Sequence, residues 1–85
     1  MSLDQRTIRL QQAITEVINR QLATDDPPEM RLTLERLMAE GRSENEARTL
    51  IGHVVVEEVL RVVAAGQPFD DARYRERLKA LVREP

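Results

Sequence analysis

Residues 50–65 read LIGHVVVEEVLRVVAA, the longest apolar stretch of the chain. Its valines favour a β-strand by propensity, but the stretch is longer than the roughly four to eight residues of a typical strand. Ser43 and Glu46 precede it with the spacing of a capping box, which marks a helix N-terminus. Gly66 and Pro68 follow it, and both residue types end helices. The sequence therefore predicts one helix over residues 44–65.

The apolar side chains of this predicted helix do not form a single stripe. At roughly 100° per residue they cover most of its circumference. The remaining polar side is narrow and holds Glu46, His53 and Glu57, with Arg61 at its edge. Since a helix that is apolar on most sides is buried on most sides, we expect this helix to be the central hub of the fold. Val59 should then be buried, and its replacement by Asp should unfold the protein.

Two helices are predicted before the hub. Apolar residues recur at helical spacing over residues 4–23. Over residues 27–40, Asp26 suits the N-cap and Pro27 the first helical position, and Glu29 completes a D-x-x-E capping box. The expected buried faces consist of Leu10, Ala13, Ile14, Val17, Ile18 and Leu22 in the first helix and Met30, Leu34, Leu37 and Met38 in the second. Ile8 and Leu32 fall outside these faces.

A last helix is predicted over residues 71–83. Asp70 suits its N-cap, and Phe69 and Tyr74 have the spacing of a hydrophobic staple. Its buried face should hold Tyr74, Leu78, Leu81 and Val82. The connections between the helices are short. Together they predict an all-α fold, a compact four-helix bundle forming a single helical domain over residues 1–85, with the third helix as its hub.

Composition and charge limit the possible function. The net charge is −2, with acidic and basic residues mixed along the chain, which argues against a dedicated nucleic-acid-binding protein. The chain has no cysteine, so it has neither disulfides nor a thiolate site. It has no apolar run of about 18 residues and no apolar signal segment near Met1, so we expect a cytoplasmic protein without a membrane partner.

The polar side of the third helix is the first candidate site. His53 and Glu57 lie four residues apart on one helix face, with Glu46 close to it. An imidazole and carboxylates can bind a metal ion in a helical bundle, and Glu16 of the first helix could be a further ligand. The alternative, which we prefer, is a stripe that faces water, with Glu57 paired to Arg61. No metal is then bound.

Two further interpretations are weaker. Residues 37–54 resemble a helix-turn-helix, but the second helix begins with acidic residues and then becomes apolar nearly all round, as a core helix does. The basic residues of the last helix lie around it rather than on one face. No phosphate-binding loop, dinucleotide motif, nucleophile elbow or zinc-protease motif is present. We therefore predict no catalytic residue, no cofactor and no enzymatic activity.

Several blocks of the sequence, in this order, resemble a family of uncharacterised bacterial all-helical proteins, a domain of unknown function. The resemblance covers roughly residues 13–82, through NRQLA, DDPPE, TLERLMAEG, EA and IG. Members of that family often carry a His-Glu pair in the first helix and a His-Glu-x-x-His-like run at the start of the third. The matching segments here are Thr15-Glu16 and Asn45-Glu46-Ala47-Arg48, which keep the glutamates and lack the histidines. The resemblance implies that any family metal site is lost in this chain.

Three functions remain as hypotheses. The preferred one is a small non-enzymatic module for protein–protein contact, acting as a homodimer or with another protein, because the third helix has more apolar surface than short helices can cover. The second is a metal-dependent enzyme or sensor using Glu16, Glu46, His53 and Glu57. The third is a nucleic-acid-binding regulator.

Overall fold

The computed structural model describes residues 4–82, which form helices and no strand. The helices are α1 (Gln5–Thr24), α2 (Pro28–Ala39), α3 (Glu44–Val63) and α4 (Asp71–Lys79). The predicted all-α four-helix bundle is confirmed. α4 ends at Lys79, earlier than the predicted end at residue 83, because the chain turns there with hydrogen bonds from the Leu81 N–H to the Leu78 carbonyl at 3.2 Å and from the Val82 N–H to the Lys79 carbonyl at 3.1 Å. Arg83, the last residue of the predicted helix, lies outside the described residues. α3 contacts each of the other three helices, as expected of a hub, and α2 does so as well.

Local sequence signals explain why α3 and α4 begin where they do. The Ser43 hydroxyl accepts a hydrogen bond from the backbone N–H of Glu46 at 3.1 Å, and the Ser43 backbone N–H donates to Glu46 Oε1 at 2.8 Å. This is the predicted capping box. At α4, Asp70 Oδ1 accepts from the Arg73 backbone N–H at 3.0 Å. The Phe69 and Tyr74 rings lie 5.8 Å apart, so the predicted staple is also confirmed.

The start of α2 differs from the prediction. Pro28, not Pro27, occupies the first helical position, and Pro27 is the N-cap, with no side chain bonded to the helix N-terminus. Asp26 is therefore not the N-cap. The reason is that Pro27 is buried and has extended backbone angles, φ −79° and ψ 153°, so the helix begins one residue later.

The end of α3 also comes earlier than predicted, at Val63 rather than Ala65. The chain closes the helix with hydrogen bonds from the Ala65 N–H to the Leu60 carbonyl at 3.3 Å and from the Gln67 N–H to the Arg61 carbonyl at 3.0 Å. Gly66 has a φ of +68°, a left-handed conformation that glycine adopts without steric cost.

The hydrophobic core lies between the four helices and receives side chains from each of them. Its buried apolar residues are Ile18, Met30, Leu34, Leu37, Ala47, Ile51, Val54, Val55, Tyr74 and Leu78. The α3 residues of that set lie between Ala47 and Val55. The core is therefore built from α2, α4, the second half of α1 and the first and middle turns of α3.

The end of α3, from Val59 onward, contradicts the expectation that the hub is buried along its whole length. Val59 is 50% exposed, Leu60 54% and Val63 75%. The expectation that Val59 is buried is thus wrong, because α4 covers α3 at Glu58 and leaves the neighbouring Val59 half exposed. Met38 is exposed as well, since Leu37 takes the core position near the end of α2. Leu10 and Ala13 of α1 are exposed in the same way.

Candidate functional site

The predicted polar stripe of α3 does reach water. Glu46, His53 and Glu57 are exposed. Glu46 is already engaged in the capping box. Hydrogen bonding to Ser43 holds the pKa of the Glu46 carboxyl below its ordinary value, with the larger effect from the Ser43 backbone N–H and the smaller from the Ser43 hydroxyl. Glu46 is therefore an anion at neutral pH that stabilises the start of the helix.

Glu57 does not pair with Arg61 as expected. Its Oε2 lies 3.0 Å from Nη2 of Arg77 on α4. Arg61 lies instead 3.6 Å from the neighbouring carboxylate, that of Glu58. The expected Glu57–Arg61 pair came from the rule that oppositely charged residues four positions apart on one helix can interact. That rule takes no account of other helices, and here α4 brings the Arg77 guanidinium to Glu57.

The metal candidates Glu16, Glu46, His53 and Glu57 are not gathered into a ligand set. Within residues 4–82, no three His, Asp or Glu side chains are arranged to hold a metal ion. Glu46 and Glu57 each have a structural partner, Ser43 and Arg77. The geometry of the described residues therefore lends the metal hypothesis no support.

Glu58 is the charged residue that the sequence analysis missed. It is only 3% exposed, and its Oε1 accepts hydrogen bonds from Arg73 Nε and Arg77 Nη1, each at 3.1 Å. Burial lowers the pKa of Arg77, but its hydrogen bonds to Glu58 and Glu57 outweigh this effect and raise the pKa overall. A signal was present, because Glu58 follows the buried Ile51 and Val54 at helical spacing. A carboxylate on a buried face requires cationic partners.

Tyr74 forms a second polar link across the bundle. Its hydroxyl donates a hydrogen bond to Gln21 Oε1 at 2.9 Å and so joins α4 to α1. Burial raises the pKa of Tyr74 to about 12. The phenol is therefore neutral over the physiological range and acts as a structural donor.

An apolar groove borders these links. It encloses about 280 Å³ and is lined by Val17, Gln21, Val55, Glu58, Val59, Val62, Val63, Phe69 and Tyr74. Its polar residues are already bonded within the protein, Glu58 to the arginines and Tyr74 to Gln21. The groove thus offers apolar side chains to whatever contacts it.

A second groove, here called the polar groove, lies between α1 and α3. It encloses about 450 Å³ and is lined by Gln11, Ile14, Thr15, Ile18, Asn45, Arg48, Thr49, Gly52, His53 and Val56. Arg48 donates through Nε to Glu44 and through Nη1 to Asn19 Oδ1, both at 2.9 Å. A Cβ at Gly52 would lie 3.2 Å from Ile14 Cγ2, so glycine lets the two helices approach closely here.

The polar groove brings together some of the residues singled out in the sequence. His53 lines it, whereas Glu16, Glu46 and Glu57 do not. Thr15 and Asn45 also line it. The groove therefore combines hydroxyl, amide and imidazole groups from α1 and α3.

The basic residues of α4 are largely neutralised. Arg73 and Arg77 bond Glu58, Arg75 lies 2.7 Å from Asp71, and Lys79 lies 3.2 Å from Glu76. In the resemblance to a helix-turn-helix, the second helix is α3, whose side chains from Ala47 to Val55 contribute to the core. Neither feature supports a nucleic-acid interface.

Comparison with known proteins does not extend this description. No protein-family model matches the chain, and no curated protein or solved structure is similar to it. The resemblance to the bacterial family stays a prediction. Among the helices of the described residues, none is long and apolar enough to cross a membrane.

Proposed function

We propose that the protein is a small, non-enzymatic, cytoplasmic module that acts through protein–protein contact as a homodimer. The observation that carries the proposal is the exposed apolar surface at the second half of α3. Val59, Leu60 and Val63 are each at least half exposed there, and Phe69 is 56% exposed beside them. A concentration of large apolar side chains at one place on a surface is typical of a binding interface.

The chemistry of the apolar groove favours protein side chains over a small molecule. Small-molecule sites combine an apolar lining with a few polar groups that orient the ligand. Here the carboxylate of Glu58 and the hydroxyl of Tyr74 are bonded to other residues of the chain. Apolar side chains need no such orienting groups, so they fit this groove better.

The arrangement of the apolar surface favours a second copy of the chain as the partner. Val17 lines the apolar groove, and Leu10 and Ala13 lie on the same face of α1, because residues three, four and seven positions apart stack along a helix. Val59, Val62 and Val63 extend the groove along α3. A two-fold axis would place the α1 face of one copy on the α3 face of the other, and one contact would cover both.

The size of the chain adds a reason for association. A domain of this size buries only roughly 60–65% of the surface of its unfolded chain, so its stability is modest. Association of folded copies stabilises the native state by mass action. Burial of half-exposed valines in a dimer would add about 25 cal/mol for each Å² removed from water.

The test is the mass in solution, measured by light scattering from micromolar to millimolar concentrations. We expect the mass to rise with concentration towards twice the 9.8 kDa of the monomer. A constant mass of 9.8 kDa over the whole range would contradict the homodimer.

A further inference from the structure

We infer that the polar groove binds a small monocarboxylate with an apolar body, such as an aromatic or branched aliphatic acid. This inference does not rest on the proposed dimer, since the polar groove and the apolar groove have no lining residue in common. A failure of one proposal therefore leaves the other intact.

The dimensions and floor of the polar groove fit a small organic molecule. Its volume of about 450 Å³ lies within the range of roughly 300–1,000 Å³ typical of ligand pockets. The side chains of Ile14, Ile18 and Val56 supply apolar surface at the α1–α3 contact. At Gly52 the two helices lie so close that a Cβ would be 3.2 Å from Ile14 Cγ2, so Ile14 closes the floor of the groove there. A hydrocarbon body would bury its surface against these residues.

The charge of the lining selects an anion. Arg48 lines the polar groove, and among residues 4–82 no Asp or Glu belongs to its lining. Within the same residues Arg48 uses Nε on Glu44 and Nη1 on Asn19, which leaves Nη2 for a ligand. Its side chain is 27% exposed, so a bound carboxylate would form a hydrogen bond that is partly shielded from water.

The pairing of Arg48 with Glu44 favours a monoanion over a dianion. Their separation of 2.9 Å means that Glu44 already offsets part of the guanidinium charge. A phosphate dianion would bring a second negative charge towards the Glu44 carboxylate, which is unfavourable. The lining also holds the amides of Gln11 and Asn45, the imidazole of His53 and the hydroxyls of Thr15 and Thr49, which can form hydrogen bonds to one carboxylate.

Amide chemical shifts of the ¹⁵N-labelled protein, titrated with benzoate, test the inference. We expect saturable shifts at Thr15, Asn45, Arg48 and Thr49. Benzyl alcohol keeps the apolar body without the charge, and acetate keeps the charge without the body. Each should bind at least about tenfold more weakly than benzoate, because each lacks one of the two contacts.

Two variants with matched controls assign binding to the groove. Arg48→Gln removes the guanidinium and should weaken benzoate binding at least about tenfold, whereas Arg36→Gln, at an exposed position of α2, should leave it unchanged. Thr49→Phe should fill the groove and abolish binding while keeping Arg48. Thr24→Phe is its control, because Thr24 and Thr49 are exposed and each bonds the carbonyl four residues before it.

Several results would overturn the inference. These are the absence of saturable benzoate binding, shifts that map to the apolar groove, equal binding of benzoate and benzyl alcohol, or binding that survives Thr49→Phe. Dispersed amide spectra show that each variant is folded. If Arg48→Gln does not fold, Thr49→Phe and its control still decide the question.

Discussion

The carboxylate of Glu58 accepts a hydrogen bond from Arg77 Nη1 at 3.1 Å and so joins α3 to α4 inside a largely apolar interface. Arg73 bonds the same oxygen at the same distance. The carboxylate is 4% exposed, whereas the Arg73 and Arg77 side chains are 44% and 27% exposed. The buried carboxylate therefore depends on the two arginines for its hydrogen bonds, whereas the arginines can also be hydrated by water.

This asymmetry gives the first prediction. The double substitution Arg73→Met with Arg77→Met removes both hydrogen-bond donors to the buried Glu58 carboxylate and leaves it only the ion pair with Arg61 at 3.6 Å. It should lower the free energy of unfolding by up to roughly 3–5 kcal/mol. Glu58→Met should cost less, because the freed arginines regain water. Urea denaturation of the two variants measures the difference. A larger loss of unfolding free energy for Glu58→Met than for the double variant would contradict the prediction, because it would mean that the arginines need the carboxylate more than the carboxylate needs them.

The second prediction concerns Val59→Asp. Because Val59 is 50% exposed, an aspartate there can reach water in the monomer, so the variant should stay folded, with a loss of roughly 1 kcal/mol or less. In a dimer the same carboxylate would be buried at the interface, so self-association should disappear. Leu32→Asp is the control, since Leu32 is 47% exposed on α2. Light scattering should show a monomer for Val59→Asp and unchanged association for Leu32→Asp.

Either of two outcomes would count against the interface. Val59→Asp could associate as the wild type does, which would place the contact elsewhere. It could also unfold at a concentration where the wild type is monomeric, which would show that Val59 is buried within one chain.

The third prediction concerns the N-cap of α3. Ser43→Ala removes the hydroxyl that accepts from the Glu46 backbone N–H, and should cost about 1 kcal/mol of unfolding free energy. Ser43→Gly should cost only a few tenths of a kcal/mol, because glycine is tolerated at the N-cap. Thermal or urea unfolding checks both values. Equal stability of Ser43→Ala and wild type would show that the cap contributes nothing.

The fourth prediction is a dependence on acid pH. The folded-state pKa of Glu46 lies below the ordinary value of 4.5, so the unfolded chain takes up the proton first as the pH falls. The stabilisation by Glu46 is present above pH 4.5 and is lost as the pH falls through the folded-state pKa. Glu46→Gln has no such group. Its stability deficit relative to wild type should shrink over this range, and a deficit independent of pH would contradict the assignment.

The fifth prediction is a dependence on alkaline pH. The pKa of Tyr74 rises from 10.0 to about 12 on folding, so the unfolded chain loses the phenol proton first. The stabilisation is fully present below pH 10 and is lost as the pH rises towards 12. Tyr74→Phe should be less stable than wild type at neutral pH, because it lacks the bond to Gln21. Urea denaturation from pH 8 upwards should show the two proteins converging, because burial raises the pKa of the Tyr74 phenol. Parallel curves would show that the phenol is not buried in the folded protein.

The sequence predicted the features that depend on residues close together in the chain. The Ser43–Glu46 capping box, the Asp70 N-cap and the Phe69–Tyr74 contact all join residues at most five positions apart. Such interactions form within one or two helical turns, so their spacing alone indicates them. The prediction of Asp26 as the N-cap of α2 was wrong, because Pro27 is buried and its burial depends on the packing of the whole bundle.

The contacts that connect distant parts of the chain required the tertiary structure. Glu57 pairs with Arg77, twenty residues later, rather than with Arg61, because α4 packs against α3. The polar groove likewise exists only because α1 lies beside α3 at Gly52.

The apolar pattern of α3 was readable in the sequence, and the extent of its burial was not. Periodicity shows which apolar side chains would stabilise the fold if they were buried. Whether they leave water depends on where the other helices end, and at Val59 and Val63 no helix of the same chain covers them within the described residues. The sequence therefore predicted the apolar helix, and the packing of α1, α2 and α4 decided which of its side chains became core and which became surface.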